Sequence, residues 1–252
     1  MIEKVVIKDN ANTPLRYLKD VPTFENGKEY TFKPGVNVIV GENGSGKTTL
    51  LKLIGHYLLL GNTMCDSHKV YNLFDFHDKF LDGADVYSDY TKNVFRMCHP
   101  DEMTEDDVWL ESFENFGATF MHKHASTGEG IVIALNRLFK VMFNKKTSLK
   151  FPLSEVSPKY HQKYLDYVNA HKVDTEDEYT ILIDEPDRNL SLINIKQIES
   201  ILSYHKEQCQ MIAVIHHPLL IYALMKNKDI NFIEMTDGYL ETVKNCVEEI
   251  VK

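Results

Sequence analysis

The sequence predicts an α/β fold in which a largely parallel sheet is flanked by helices. Three short apolar runs carry that expectation: Asn37–Val40 (NVIV), Tyr179–Ile183 (YTILI) and Met211–Ile215 (MIAVI). Each reads as a buried strand, and each is followed by a segment with helical spacing. Strands that alternate with helices across long intervening segments have room for the crossovers that parallel neighbours need.

The elements follow in order. Residues 2–8 (IEKVVIK) alternate loosely and read as a strand, and Tyr30–Phe32 as another. Asn37–Val40 follows Pro34-Gly35 and runs straight into a glycine-rich segment, Gly41 to Gly46. Residues 47–60 (KTTLLKLIGHYLLL) then read as a helix stopped at Gly61-Asn62. Residues 62–125 hold aromatic and acidic clusters and read as a mixed region with at least one helix. A strong helical pattern covers 127–143, and residues 144–178, with two prolines and a run of acids, read as an exposed insertion. After the strand at Tyr179–Ile183 come a helix over 193–206, the strand Met211–Ile215 and a helix from Pro218 to Met225. Ile230–Met235, the turn Asp237-Gly238 and Tyr239–Val243 read as a closing hairpin. The chain is expected to be one domain, 1–252, with an inserted subregion at about 62–178.

Composition narrows the class. The 252 residues are 43% apolar and 26% charged, as in an ordinary globular protein. Acidic residues outnumber Lys plus Arg by 37 to 28, which argues against a surface that grips nucleic acid throughout and leaves room for a local basic groove. Cys65, Cys98, Cys209 and Cys246 form no CxxC pair, so reduced thiols in a cytoplasmic protein are the expectation. The stretches Leu50–Leu60 and Met211–Met225 are too short, and too interrupted by Lys52, His56, His216 and His217, to insert into a membrane.

Two motifs point to phosphate chemistry. Gly41-Glu42-Asn43-Gly44-Ser45-Gly46-Lys47-Thr48 fits G-x-x-x-x-G-K-[ST] at every fixed position, between a strand and a helix as the motif requires. Glycines let successive N–H groups converge on a phosphate, and the helix behind presents its positive end to it. Lys47 would reach the β- and γ-phosphates, and the Thr48 hydroxyl, with Thr49 beside it, lies where Mg2+ is held. In the second motif, Ile181-Leu182-Ile183-Asp184-Glu185-Pro186, a buried strand ends in two acids. The carboxylates belong at its C-terminal end, where open α/β sheets bind ligands. Asp184 would hold Mg2+ and Glu185 would act as general base toward water. Taken alone, the pair also suits the cap of the next helix.

With two further segments, these motifs resemble the ABC ATPase superfamily. Ala125-Ser126-Thr127-Gly128-Glu129 occupies the place of that family's Leu-Ser-Gly-Gly-Gln signature. Ser126 and Gly128 match; the Ser-x-Gly-Glu form is similar to the SMC, RecF and OLD branch and its stand-alone bacterial relatives. Ser-x-x-Glu is also a helix capping box. His216, in Ile215-His216-His217-Pro218, matches the family's switch histidine, with His217 the competing candidate. The resemblance implies a P-loop NTPase of ABC type with N-terminal antiparallel strands and a helical inserted subregion carrying the signature. It also implies ATP and Mg2+ as cofactors. The implied assembly is a head-to-tail homodimer in which Ser126 and Gly128 of one copy close on ATP held by Gly41 to Thr49 of the other.

Three departures from the family pattern stand out. No Gln lies between Lys47 and Ser126 to serve as the Q-loop residue; Asp85 is one stand-in. The D-loop aspartate position falls on Ser191, after Asp187-Arg188-Asn189-Leu190. The stretch from signature to acid pair is longer than in transporters. Arg16 and Tyr17 are the candidates for an adenine platform. His122 and His124 could share a metal, although no third ligand is evident and a surface or packing role suits them better. Lys145, Lys146 and Lys150 form a modest basic patch, and Asp101 to Asp107 an acidic face.

The expected function is therefore an ATP-hydrolysing molecular switch that works with a separate effector protein or nucleic acid in DNA repair or phage defence. The alternatives are the ATP-binding subunit of a membrane transporter, which would want the Q-loop Gln, and a non-hydrolysing scaffold, which Lys47, Thr48, Asp184 and Glu185 argue against.

Overall fold

The computed structural model describes residues 1–9, 18, 20–60, 83–88, 93–97, 179–188, 190–203 and 209–251. Eight strands and four α-helices lie among them: β1 (Ile2–Ile7), β2 (Glu29–Thr31), β3 (Gly35–Val40), α1 (Lys47–Leu60), β4 (Ala84–Ser88), β5 (Asn93–Met97), β6 (Tyr179–Asp184), α2 (Leu192–Leu202), β7 (Cys209–Val214), α3 (Pro218–Leu224), β8 (Asn231–Glu234) and α4 (Tyr239–Val251). A short 3-10 turn covers Pro22–Phe24.

Five strands form a parallel sheet in the order β5-β6-β7-β3-β8, and three form a second sheet, β2-β1-β4, antiparallel throughout. In β3 and β7 every residue is buried, as expected of strands covered on both faces. The two-residue period of a strand sorts their side chains into two cores. Val36, Val38 and Val40, Ile181 and Ile183, and Met211 and Ala213 face α2, α3 and α4, meeting Ile198, Leu202, Leu220, Ile221, Leu224, Val243 and Val247. Ile39, Leu182, Ile212 and Val214 face the other way, toward Leu50, Leu51, Leu53 and Ile54 of α1 and toward Ile2, Val5, Ile7, Tyr30 and Phe32 of the antiparallel sheet.

Because neighbouring strands run the same way, their C-terminal ends share one edge. The register pairs Ile39 with Val214 and Val214 with Asp184, and Val40 with Glu234. The loops leaving β3, β6, β7 and β8 therefore emerge side by side, and Gly41 to Gly46, Lys47, Thr48, Thr49, Asp184, Glu185 and His216 lie on these loops, at the end of β6 or in the first turn of α1.

Two regions differ from the sequence reading. The expected closing strand Tyr239–Val243 is instead the start of helix α4. Tyr239, Leu240, Val243 and Val247 recur at helical spacing, and the last two are buried against the parallel sheet's helical face. The Asp237-Gly238 signal is real, with Gly238 at φ 74, but the turn opens a helix: Tyr239 N–H donates to Thr236 O at 3.2 Å and Leu240 N–H to Glu234 Oε2 at 3.0 Å. The α4 sequence can also alternate over five residues; the burial of Val243 and Val247, four positions apart, fits the helix. In the mixed region 62–125, the described parts are the strands β4 and β5.

Candidate functional site

The glycine-rich loop joins the buried end of β3 to α1, whose first residue is Lys47. Gly46 sits at φ 89, and a Cβ there would stand 2.2 Å from Phe24 Cε2, so a side chain is excluded twice over. Lys47 is buried and folds back across the loop, its Nζ donating to Gly41 O at 2.8 Å and Glu42 O at 2.7 Å. Burial pulls its ammonium below the usual lysine range, and the charges of Glu185, Asp187 and Asp184 partly restore it. Among the described residues, the buried Ser45 Oγ has no hydrogen-bond partner. From the far side, Thr236 Oγ1 accepts from Glu42 N–H at 3.1 Å.

Asp184 ends β6 with its carboxylate nearly covered, and the Thr48 hydroxyl donates to its Oδ1 at 3.2 Å. The fold thus brings the two residues expected to hold Mg2+, separated by 136 positions, into contact. Hydroxyl and carboxylate are hard oxygen donors, the set that suits Mg2+. Among the described residues, no group of three His, Cys, Asp or Glu side chains could hold a metal by itself.

Glu185 follows in the left-handed region, φ 47, a conformation that costs a non-glycine residue energy. Its Oε1 lies 3.2 Å from His216 Nε2 and its Oε2 lies 3.7 Å from Arg188 Nη1. Among the described residues, His216 Nε2 has no hydrogen-bond partner. Burial, and then the nearby Lys47 charge, hold His216 below the usual histidine range, so the neutral imidazole prevails at neutral pH. His216 and not His217 faces Glu185; His217 is the N-cap residue of α3. The acid pair does not cap the next helix: Ser191 does, its hydroxyl accepting from Asn194 N–H at 3.4 Å.

Asp187 is the residue that sequence reasoning passed over. It is 4% exposed. Its Oδ2 accepts from the main-chain N–H groups of both His216, at 2.6 Å, and His217. Burial raises its carboxyl above the usual range, against the pull of those two amides. It thereby ties the loop after β6 to the loop after β7. Its partners are backbone groups 29 and 30 residues away, which carry no signature in sequence. Asp85, a stand-in for the absent Q-loop Gln, lies on β4 of the antiparallel sheet and pairs with Lys8 at 2.7 Å, both half-exposed. Ser126, Gly128, Arg16, Tyr17, His122, His124, Lys145, Lys146, Lys150 and Asp101 to Asp107 lie outside the described residues.

Residues 17–90 match the family described as an AAA domain. The chain resembles the ABC ATPases. It is 30% identical over 110 residues, 43% of its length, to the ATP-binding cassette sub-family F member 2 proteins of Bos taurus and of Mus musculus. It spans 17% of the length of those relatives. Among solved structures, it is similar to a dimeric ATP-binding cassette in a post-hydrolysis state bound to ADP and phosphate. That likeness has 16% identity and a TM-score of 0.42, with 84% of this chain and 86% of the other covered. It is also similar to an SMC head bound to the C-terminal winged-helix domain of ScpA, with 16% identity and a TM-score of 0.39, covering 94% and 95%. The AAA-domain match spans the glycine-rich loop and the start of α1, and supports nucleotide binding as the coarse function.

Proposed function

We propose that this chain binds ATP with Mg2+ and hydrolyses it in a head-to-tail homodimer, as a switch for a separate effector protein or nucleic acid in DNA repair or phage defence. One observation carries the catalytic part: the phosphate loop, Asp184, Glu185 and His216 converge on a single edge, with Thr48 on Asp184 and Glu185 facing His216. The glycine loop Gly41 to Gly46 would wrap the phosphates, with Lys47 exchanging its loop carbonyls for phosphate oxygens. Thr48 and Asp184 would hold Mg2+, which neutralises charge on the phosphates. Glu185 accepts a proton from the attacking water, and His216, neutral and in contact with it, donates to the γ-phosphate. Ser126 and Gly128 would close the site from the partner copy.

The switch role in repair or defence is supported by the Ser-x-Gly-Glu form of the signature, the Asp-Glu-Pro-Asp segment and the missing Q-loop Gln. No helix among the described residues is long and apolar enough to cross a membrane. The test is sedimentation of wild type and Glu185→Gln with Mg-ATP, with phosphate release followed in parallel. The expected result is loss of hydrolysis and a trapped dimer in the variant. A monomer in every state, or hydrolysis that survives the substitution, overturns the shared-site mechanism.

A further inference from the structure

The 3-10 turn Pro22–Phe24 belongs to neither motif, yet its contacts converge on one peptide of the phosphate loop. Thr23 Oγ1 donates to the Ser45 carbonyl oxygen at 2.6 Å. Thr23 is itself held, because the Tyr30 hydroxyl, on β2, donates to the Thr23 carbonyl oxygen at 2.6 Å. Thr23, Phe24 and Tyr30 are all buried. Burial raises the Tyr30 hydroxyl well above its ordinary value, so it keeps its proton and stays a donor across the working pH range. The Phe24 ring fills the space beside Gly46 Cα, where a Cβ would stand 2.2 Å from Cε2 and 3.1 Å from Cζ.

A peptide unit is planar and trans, so the carbonyl oxygen of residue 45 and the N–H of residue 46 point in opposite directions. Holding Ser45 O against Thr23 aims the Gly46 N–H away from the turn. The restraint matters because Gly46 has no side chain to limit rotation of that peptide. A flip would present a carbonyl oxygen where an anion is to be bound.

We infer that Thr23 is a positioning residue which, anchored by Tyr30 and backed by Phe24, locks the Ser45–Gly46 peptide with its N–H toward the phosphates. The antiparallel sheet would then act on the site through Tyr30. This inference rests on the proposal that the loop binds ATP. Removing the Thr23 donor frees the peptide without touching any group that meets the ligand directly.

The experiment is calorimetric titration of wild type, Thr23→Val, Thr23→Ser, Tyr30→Phe and Lys47→Ala with a non-hydrolysable ATP analogue and Mg2+, alongside thermal unfolding without nucleotide. Thr23→Val, which keeps the shape and loses the donor, is expected to bind about tenfold more weakly. Thr23→Ser should restore wild-type affinity, and Tyr30→Phe should lose about threefold. Unliganded melting temperatures should not track this order. If the analogue binds wild type and Thr23→Val alike while Lys47→Ala loses it, Thr23 has no positioning role and the ATP reading survives. If wild type itself binds no analogue, both proposals fall. Should Thr23→Val not fold, the same comparison is made with Tyr30→Phe, and unchanged affinity there overturns the inference. An affinity loss that Thr23→Ser does not restore marks a packing effect and also overturns it.

Discussion

The two sheets of this protein solve different problems. The five-stranded parallel sheet is covered on both faces, and β3 and β7 bury every residue. In the antiparallel sheet β1 buries Ile2, Val5 and Ile7 and leaves Glu3, Lys4 and Val6 exposed or half-buried, and β2 buries only its central Tyr30. A polar side chain is harmless on the open face and costly inside the closed sheet unless it is paired. Asn37 and Gln210, both fully buried, show how that cost is met. Gln210 on β7 accepts from Ile2 N–H at 2.7 Å, and its Nε2 donates to Ile2 O at 2.6 Å and Lys33 O at 3.2 Å. Asn37 on β3 accepts from Lys33 N–H at 2.8 Å and from Asn231 Nδ2 at 2.9 Å, and Asn231 also donates to Thr31 O at 3.0 Å. Asn37 and Gln210 are thus ties that fasten the antiparallel sheet and its approaches onto the parallel sheet. The seam between the sheets is made of hydrogen bonds as well as apolar packing.

Breaking that seam should have the largest effect. Gln210→Ala removes the buried side-chain partner of both main-chain groups of Ile2, while Lys33 O keeps its bond from Asn37 Nδ2. It is expected to cost about 4 kcal/mol of unfolding free energy, read from urea denaturation. A loss below about 1 kcal/mol would mean that apolar packing alone joins the sheets.

A middle-sized effect is expected where two loops of the parallel sheet are tied together. Asp187→Ala leaves the His216 and His217 amides without their acceptor and should cost about 2 kcal/mol, with hydrolysis impaired because His216 loses its anchor. Asp187→Asn keeps an oxygen in place, so its cost should be smaller at neutral pH. The pH dependence sharpens this. The folded carboxyl is raised above the ordinary 3.8, so the folded state holds its proton more tightly than the unfolded chain. The protonation-linked part of the Asp187 contribution is therefore fully present below about 3.8 and is lost as pH rises through the folded value, while the two amide hydrogen bonds remain. The Asn variant should lack that decline in stability curves measured against pH. An equal slope in both proteins would assign the decline to another group.

The smallest effect belongs to the open face of the antiparallel sheet. Lys4 pairs with Glu29 at 3.2 Å, with side chains 36% and 53% exposed, and its ammonium lies 5.2 Å from the Tyr87 ring centre. Solvent and salt screen such a pair, so Lys4→Ala should change stability by less than about 0.5 kcal/mol in a urea titration. A larger loss would show that this face is also structurally committed.

How much of this was legible in the sequence depends on how local each signal is. The strand, glycine loop and helix from Gly35 to Leu60 were readable because the motif's spacing and its flanking hydrophobic pattern lie within one continuous stretch. The acid-ended strand at Tyr179–Asp184 was readable for the same reason. At Tyr239–Val251 the local turn signal pointed to a hairpin, and the pattern over the next two turns, buried against α3 and the sheet, made a helix.

The sequence by itself determined the alternation of buried strands and helices, the glycine-rich loop that opens a helix at Lys47 and Thr48, and the strand that ends at the acid pair Asp184-Glu185, because each is a property of neighbours along the chain. Only the tertiary structure decided that Thr48 meets Asp184, that Glu185 faces His216, that Asp187 seats two distant amides and that Thr23 grips Ser45. Those contacts join segments separated by 22 to 136 positions. They exist because parallel strand order brings four C-terminal ends to one edge, and main-chain donors and acceptors, identical at nearly every residue, are distinguished only by where the fold aims them.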